Sequence, residues 1–155
     1  MERNKIENYV IEQAEVLGGP FKNFSGKPGQ YNPAGRRTFA IRLDKATADD
    51  MVNKGWNVKQ LDPREEGDEP TLFITARLRF DNYPPVVFML TGPNNKKVRL
   101  DEDNIDLLDA SIIEWCDVEL SPYSWKTSTG SGVTAYVKKL YVKVREDVFA
   151  SKYED

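Results

Sequence analysis

The sequence predicts a mainly β fold, arranged as an antiparallel Greek-key barrel with two short helices. Several short segments alternate apolar and polar residues, as half-buried strands do. Loops rich in glycine and proline separate these segments. The length of 155 residues suits one domain. We therefore expect a single domain over residues 1–147, followed by a short acidic C-terminal tail at residues 148–155.

The strand predictions follow this alternation along the chain. It is clearest in 71–80, where apolar side chains occupy every second position. The last strand, 133–144, loses its alternation at Lys138 and Lys139, which predicts a β-bulge there. The other predicted strands are 9–17, 36–43, 86–92, 96–100 and 111–123.

Two short helices are predicted from their N-terminal caps. A capping box at 47–50 opens the first, which should end near Asn53, before Gly55. Asp101 should cap a second, acidic helix over 101–110. A helix inserted before the last two strands is typical of the five-stranded OB-fold barrel. An OB-fold-like barrel is therefore the main prediction, with a β-sandwich as the alternative.

The residue types that are missing exclude much chemistry. The sequence contains no histidine and one cysteine, Cys116. This excludes Ser–His and Cys–His nucleophile pairs, histidine-ligated metals and an intramolecular disulfide. We therefore expect no cofactor, no metal and no enzymatic activity. The N-terminus lacks a signal-peptide pattern, no apolar run reaches membrane length, and a free thiol suits a reducing compartment, so we expect a cytoplasmic protein without membrane contact.

Charge is segregated along the chain, although the net charge is only −3. Residues 21–60 contain eight basic and three acidic residues, and 122–144 contain four lysines and no acid. Residues 101–119 contain eight acidic residues and no basic one. Segregation of this kind indicates one basic surface directed at a polyanion, with an acidic remainder that limits indiscriminate binding.

Aromatic residues lie among the basic ones in three places: 21–31, the strand 71–80, and 123–143. Proteins that bind single strands combine a basic groove with aromatic side chains on which unpaired bases stack. The pattern predicts binding of single-stranded DNA without sequence preference. Trp125, beside a loop of Ser, Thr and Gly, is a candidate for stacking, whereas Trp56 is expected in the core. The candidate DNA-binding residues are Phe21, Lys22, Phe24, Lys27, Tyr31, Arg36, Arg37, Lys59, Phe73, Arg77, Arg79, Tyr123, Trp125, Lys126, Tyr136, Lys138, Lys139, Tyr141 and Lys143.

Two other functions remain open at this point. The acidic segment 101–119 could bind a basic protein partner, which would make the chain an interaction or scaffolding module. Asp101 and Asp103 could instead serve a magnesium-dependent nuclease. A phosphate-binding loop is excluded, because six residues rather than four separate Gly19 from Gly26.

Seven short segments, in order along nearly the whole chain, resemble a family of bacteriophage single-stranded DNA-binding proteins. None of them is a catalytic signature; their order and coverage carry the resemblance. The segments are Asn23–Asn32, Arg36–Phe39, Gly55–Lys59, Tyr83–Val87, Leu107–Asp109, Pro122–Trp125 and Ala135–Lys138.

This resemblance implies an OB-type fold and a role in protecting single-stranded DNA during phage replication or recombination, in the cytoplasm of the bacterial host. Phage or host replication and recombination proteins, and further copies of the chain, are then candidate partners. Bacterial single-strand binders end in a long linker with an acidic tip, whereas this chain ends in the short REDVFASKYED. We expect a terminal helix here that packs Val148 and Phe149 on the barrel, and recruitment of partners by the tail is the alternative.

Overall fold

The computed structural model describes residues 6–29, 32–63, 65–81 and 84–145. Within these ranges the chain forms nine strands and one α-helix. The strands are β1 Tyr9–Val16, β2 Lys22–Asn23, β3 Arg37–Leu43, β4 Lys59–Leu61, β5 Thr71–Leu78, β6 Val86–Thr91, β7 Lys96–Leu100, β8 Ile113–Thr127 and β9 Gly130–Val144. The helix α1 spans Lys45–Asn53, and two 3-10 turns span Gly19–Phe21 and Ile105–Leu108. The expected terminal helix and tail lie outside the described residues.

All nine strands belong to one sheet, in the order β4-β5-β3-β1-β8-β9-β6-β7, with β2 paired to β3. An additional pairing of β5 with β9 closes β1, β3, β5, β9 and β8 into a ring. This arrangement confirms the mainly β, OB-fold-like prediction. β4 and the β6–β7 hairpin extend the ring, so the sheet is not a simple barrel.

The pairings are antiparallel except where β9 meets β5 and β6, which run parallel to it. Ala135 and Tyr136 of β9 pair with Ala76 and Arg77 of β5. The later part of the same edge of β9 pairs with β6. With fifteen residues, β9 is long enough to pair first with β5 and then with β6 along one edge. The prediction of a purely antiparallel barrel did not include these parallel pairings.

The interior of the ring is apolar. Phe24, Phe39, Ile41, Leu120 and Leu140 are fully buried, and no polar or charged residue of the described chain is buried. Cys116 also lies in this core. Burial raises the pKa of the Cys116 thiol to about 12, so the group stays protonated and acts as a small apolar side chain.

The helix α1 begins three residues earlier than the capping box indicates. Asp44 is its N-cap, and its Oδ1 accepts a hydrogen bond of 2.7 Å from the Thr47 amide. The predicted cap at Thr47 is therefore wrong, because Asp44 already satisfies that free amide. The end of the helix is as predicted: Gly55, at φ +97°, takes the left-handed conformation that terminates it.

The second predicted helix, over 101–110, is only the 3-10 turn at Ile105–Leu108. The Asp101 side chain accepts a hydrogen bond from the Asp103 amide at 2.9 Å. The Asn104 side chain in turn accepts one from the Asp101 amide at 2.6 Å. Both bonds are those of a helix N-terminus, so Asp101 caps a first turn as predicted. The chain then continues as a 3-10 turn rather than as an α-helix.

The β8–β9 hairpin is longer than predicted. The expected loop at 127–132 is a tight turn at 128–129, with strand pairing from Thr127↔Gly130 onward. The predicted bulge is confirmed: Glu119 pairs with Lys139 and Leu120 with Val137, so that Lys138 is the extra residue.

Replacing Asp44 with alanine should lower the free energy of unfolding by about 1 kcal/mol, because the α1 cap is lost. The Thr47 amide lowers the pKa of Asp44. The contribution of the cap is therefore present above the ordinary aspartate pKa and is lost as the pH falls through the lowered value. Urea unfolding at neutral and acidic pH measures both effects. The matched control, Asp49→Ala, removes only an exposed ion pair with Lys45 and should cost about 0.5 kcal/mol or less.

Candidate nucleic-acid interface

A cleft of about 620 Å³ lies between the β3–β5 region and the β8–β9 hairpin. We call it the basic cleft, because Arg36, Lys59 and Arg77 line it together with Trp125 and no carboxylate. Its remaining lining is neutral: Asn23, Asn32, Thr38, Asn57, Ile74, Thr75, Val133, Thr134 and Ala135. The cleft thus presents positive charge and one aromatic ring system to solvent.

Three different parts of the chain supply its cations. Lys59 lies on the edge strand β4, with its Nζ 3.4 Å from Thr75 Oγ1. Arg77 lies on β5, and its guanidinium carbon is 6.0 Å from the centre of the Tyr136 ring. Arg36 is exposed in the loop before β3. Within the described ranges none of the three forms an ion pair with a carboxylate, so all three remain available to an anion.

The loop beside the cleft is fixed by hydrogen bonds. Asn23 Oδ1 accepts hydrogen bonds from the amides of Gly26 and Lys27 at 2.9 and 3.1 Å. The Asn32 side chain donates to the carbonyl of Lys27 at 3.0 Å and to that of Arg36 at 3.1 Å. The exposed Lys27 therefore has a defined backbone position near the cleft. Tyr31 lies outside the described residues.

Trp125 stands on β8 directly opposite Gly132 of β9, and its side chain is 40% exposed. A Cβ at residue 132 would lie 2.7 Å from Trp125 Cζ2, which is too short for a contact between two non-bonded carbon atoms. Gly132 therefore provides the space that the indole occupies. The sequence alone does not indicate Gly132, because its contact with Trp125 depends on how β8 and β9 are paired.

A second hollow of about 480 Å³ adjoins the basic cleft where Arg77 contacts Tyr136. We call it the aromatic trough, because Tyr123 and Tyr136 line it with their rings edge to face at 6.0 Å. Tyr123 is 58% exposed. Arg79 and Lys138 also line the trough, with nearby carboxylates at 3.0 Å (Asp81) and 3.8 Å (Glu119) respectively.

Two predicted stacking residues are buried and cannot present a face to a base. Phe24 is 0% exposed and stacks on Phe39 in the core. Phe73 is 8% exposed, because the half-buried Phe21 covers it edge to face at 5.7 Å. The alternation along β5 had placed Phe73 on a solvent face, but the 3-10 turn at Gly19–Phe21 covers that part of the strand. The DNA-stacking predictions for Phe24 and Phe73 are therefore wrong.

Three predicted DNA-binding cations instead hold loops of the chain together. Lys22 Nζ donates to the carbonyls of Leu108 and Ser111 at 3.0 and 2.8 Å, and burial lowers its pKa. Lys143 Nζ donates to Asn95 Oδ1 at 2.6 Å and to the Gly92 carbonyl. Two of the three N–H donors of each ammonium group are therefore directed at acceptors of the protein.

Arg37 is the third of these cations, and its side chain is only 14% exposed. Its Nη1 donates to the Phe24 carbonyl at 2.9 Å, and Nη2 is 3.7 Å from Glu102. Its guanidinium also lies over the ring of Phe80. Lys22, Arg37 and Lys143 therefore join parts of the fold, and none of them lines the basic cleft or the aromatic trough.

The remaining predicted residues lie on or near the two hollows, or further along β9. Lys126 is exposed and directly follows Trp125 on β8. Lys139 and Tyr141 lie further along β9, beside β6 and outside both hollows. The structure thus brings together eight predicted residues in the basic cleft and aromatic trough: Arg36, Lys59, Arg77, Arg79, Tyr123, Trp125, Tyr136 and Lys138.

The acidic side chains lie largely elsewhere. A separate hollow contains Glu12, Asp44 and Glu69 beside two ion pairs, Arg42–Glu15 at 3.1 Å and Lys45–Asp49 at 3.3 Å. In the part of the chain that the structure describes, no three His, Cys, Asp or Glu side chains are grouped so as to hold a metal ion. No helix there is long and apolar enough to cross a membrane.

Comparison with known proteins identifies relatives of the whole chain. A family model described as "Putative phage ssDNA-binding domain" matches residues 1–155. No curated protein sequence matches the chain. The structure is similar to that of a C-terminally truncated single-stranded DNA-binding protein from bacteriophage Enc34, with a TM-score of 0.57, 11% identity, and coverage of 90% of this chain and 87% of that chain. The Enc34 protein in complex with single-stranded DNA gives a TM-score of 0.56 at 11% identity, over 92% and 89% of the two chains. At such identities the likeness shows a shared fold.

Replacing Gly132 with alanine should displace the Trp125 indole, because the new methyl group would occupy its place. We expect a shifted tryptophan emission spectrum and a changed near-ultraviolet circular dichroism. Gly130→Ala is the matched control, since a Cβ at residue 130 has no neighbour within 4 Å. Equal spectra for the two variants would contradict the assigned contact.

Proposed function

Because the chain belongs to this family of phage single-stranded-DNA-binding domains, we propose that it binds single-stranded DNA without sequence preference and protects it during phage replication or recombination. One observation carries the proposal: three cations that have no carboxylate partner among the described residues line the same cleft as an exposed tryptophan. Basic and aromatic side chains contribute different contacts to such binding. Phosphates neutralise Arg36, Lys59 and Arg77, while bases stack on the aromatic residues.

Stacking accounts for the absence of sequence preference. Every base has a π-face, and a base stacked on an aromatic side chain contributes about 1–3 kcal/mol whatever its identity. Trp125 in the basic cleft and Tyr123 and Tyr136 in the aromatic trough offer such rings in neighbouring positions. Bases in a duplex are already stacked on each other, so these rings favour single strands over duplex.

The proposal assigns no chemical step to the chain. The basic cleft is lined by neutral and basic side chains and by no carboxylate, which suits binding of a polyanion. In this proposal the protein acts in the host cytoplasm, where phage DNA is copied. Replication and recombination proteins of phage or host, and further copies of the chain, are the partners that this role implies.

The alternative function, a scaffold that binds basic proteins through 101–119, has weaker support. Most acidic side chains of this segment already contact groups of the same chain. Asp109, for example, accepts hydrogen bonds from the amides of Phe24 and Ser25, both at 2.8 Å. Other such acids are Asp101, Glu102, Glu114, Asp117 and Glu119. Because most of its carboxylates contact groups of the same chain, segment 101–119 has few carboxylates available to a basic partner.

Removing the indole should weaken binding. We expect Trp125→Ala to bind oligo(dT) about 5- to 150-fold less tightly than the unmodified chain, which corresponds to one lost base stack. Fluorescence titration also identifies the ring. Quenching by oligo(dT) should persist in Trp115→Phe and largely disappear in Trp125→Phe. Undiminished affinity in Trp125→Ala would count against stacking at this position.

Removing the three cleft cations should reduce the salt dependence of binding. Each phosphate contact on a single strand contributes about −0.7 to the slope of log K against log salt concentration. The triple variant Arg36→Gln/Lys59→Gln/Arg77→Gln should therefore show a slope smaller in magnitude by about 2. The control pair Arg42→Gln/Lys45→Gln lies beside the acidic hollow and should keep the original slope. Equal slopes in the triple variant and the unmodified chain would place the phosphates elsewhere.

A further inference from the structure

A second aromatic surface lies on β6 and β9, outside the two hollows described above. Phe88 of β6 stands opposite Tyr141 of β9 in the parallel pairing. Their rings are stacked, with centroids 5.4 Å apart and planes inclined by 14°. Both residues are half-buried, so part of each ring is in contact with solvent.

Three cations surround this pair of rings. Lys97 Nζ lies 5.3 Å from the centre of the Phe88 ring, and the Arg99 guanidinium carbon lies 5.5 Å from it. Lys139 Nζ lies 5.4 Å from the centre of the Tyr141 ring. We call these five residues the cation–aromatic patch. Sequence analysis had named only Lys139 and Tyr141, because the part played by β6 and β7 depends on the sheet order.

The cations of the patch have no carboxylate partner within the described ranges. Two acidic residues of β8 stand opposite the patch: Glu119 pairs with Lys139, and Asp117 pairs with Tyr141. Glu119 accepts a hydrogen bond from the Asn8 side chain at 3.0 Å and lies 3.8 Å from Lys138, while Asp117 Oδ1 accepts one from the Gln13 amide at 2.8 Å. Grouped cations repel one another, which is unfavourable unless an anion joins them. Exposed positive charges beside stackable rings suit the same ligand as the basic cleft.

We propose that the cation–aromatic patch is a second subsite for single-stranded DNA, which holds the strand after it leaves the aromatic trough; this rests on the function proposed above. Tyr136, Lys139 and Tyr141 face outward along β9, since the residues alternating with them, Val137, Leu140 and Val142, are buried. At about 3.3 Å per residue, the backbone positions of Tyr136 and Tyr141 are separated by about 16 Å. One strand can therefore contact the trough and the patch in succession.

The proposal fixes how affinity depends on oligonucleotide length. OB folds occupy about 4–16 nucleotides of single strand. An oligonucleotide of about 4 nucleotides is expected to fill the basic cleft and trough alone, whereas one of about 16 reaches the patch as well. Changes in the patch should therefore weaken binding of the long oligonucleotide and leave binding of the short one unchanged.

The test uses the full chain and oligo(dT) of these two lengths. The patch variant Lys97→Gln/Arg99→Gln keeps both rings in place and removes two exposed charges. Its control, Lys45→Gln/Lys96→Gln, also removes two exposed charges, one on the same strand β7 and one on α1. The patch variant should bind the long oligonucleotide with a salt slope about 1.4 smaller in magnitude, and about tenfold more weakly at low salt. The control should bind both lengths as the unmodified chain does.

Two results would overturn the subsite. One is an unchanged affinity of the patch variant for the long oligonucleotide, and the other is an equal loss for both lengths. Failure of the proposed function gives a different result, in which the unmodified chain prefers neither oligonucleotide to duplex of the same length. Phe88→Leu adds a second measurement: it keeps an apolar side chain at the site but removes a ring, and the affinity for the long oligonucleotide alone should fall.

Discussion

The short parallel pairing between β5 and β9 is the contact on which the binding surface depends. Only Ala76↔Ala135 and Arg77↔Tyr136 are in register there, yet this pairing closes the ring of strands. It also places a cation of β5 beside an aromatic residue of β9, at the junction of the basic cleft and the aromatic trough. Without this closure the two sides of the binding surface would belong to separate parts of the sheet.

Two groups of cations in the chain differ in what surrounds them. Lys22, Arg37 and Lys143 donate hydrogen bonds to oxygen atoms of the chain, and the burial of Lys22 lowers its pKa. Such groups already donate hydrogen bonds to the protein, and turning them toward a phosphate would break those bonds. Arg36 and Lys59 keep their contact with water and have no carboxylate partner in the described ranges. This difference in environment, rather than the number of basic residues, distinguishes the cations of the proposed binding surface.

Local sequence patterns predicted most of the fold. Alternation located β5 and β9, and its interruption located the bulge at Lys138, because these features depend on neighbouring residues alone. The helix predicted over 101–110 is only a 3-10 turn at Ile105–Leu108, although Asp101 caps the turn before it as predicted. Ile105 and Leu108 are three residues apart, a spacing that fits a 3-10 turn as well as an α-helix.

The binding surface was only partly predictable. The alternation separates the two faces of a strand but does not show which part of an outer face another segment covers, as Phe21 covers Phe73. The space for Trp125 above Gly132 depends on the register of the hairpin. The count of basic residues included Lys22 and Arg37 but could not show that both side chains donate hydrogen bonds to backbone carbonyls of the same chain. Each of these failures involves a contact between residues distant in sequence.

Photo-cross-linking of an oligonucleotide that carries bromodeoxyuridine tests most directly that bases lie on the rings of the cleft and trough. Irradiation of the complex, followed by mass spectrometry of its peptides, gives the residues that touch the bases. The account predicts cross-links at Trp125, Tyr123 and Tyr136, which line the basic cleft and the aromatic trough. Cross-links confined to α1 and the acidic hollow beside it would contradict the account.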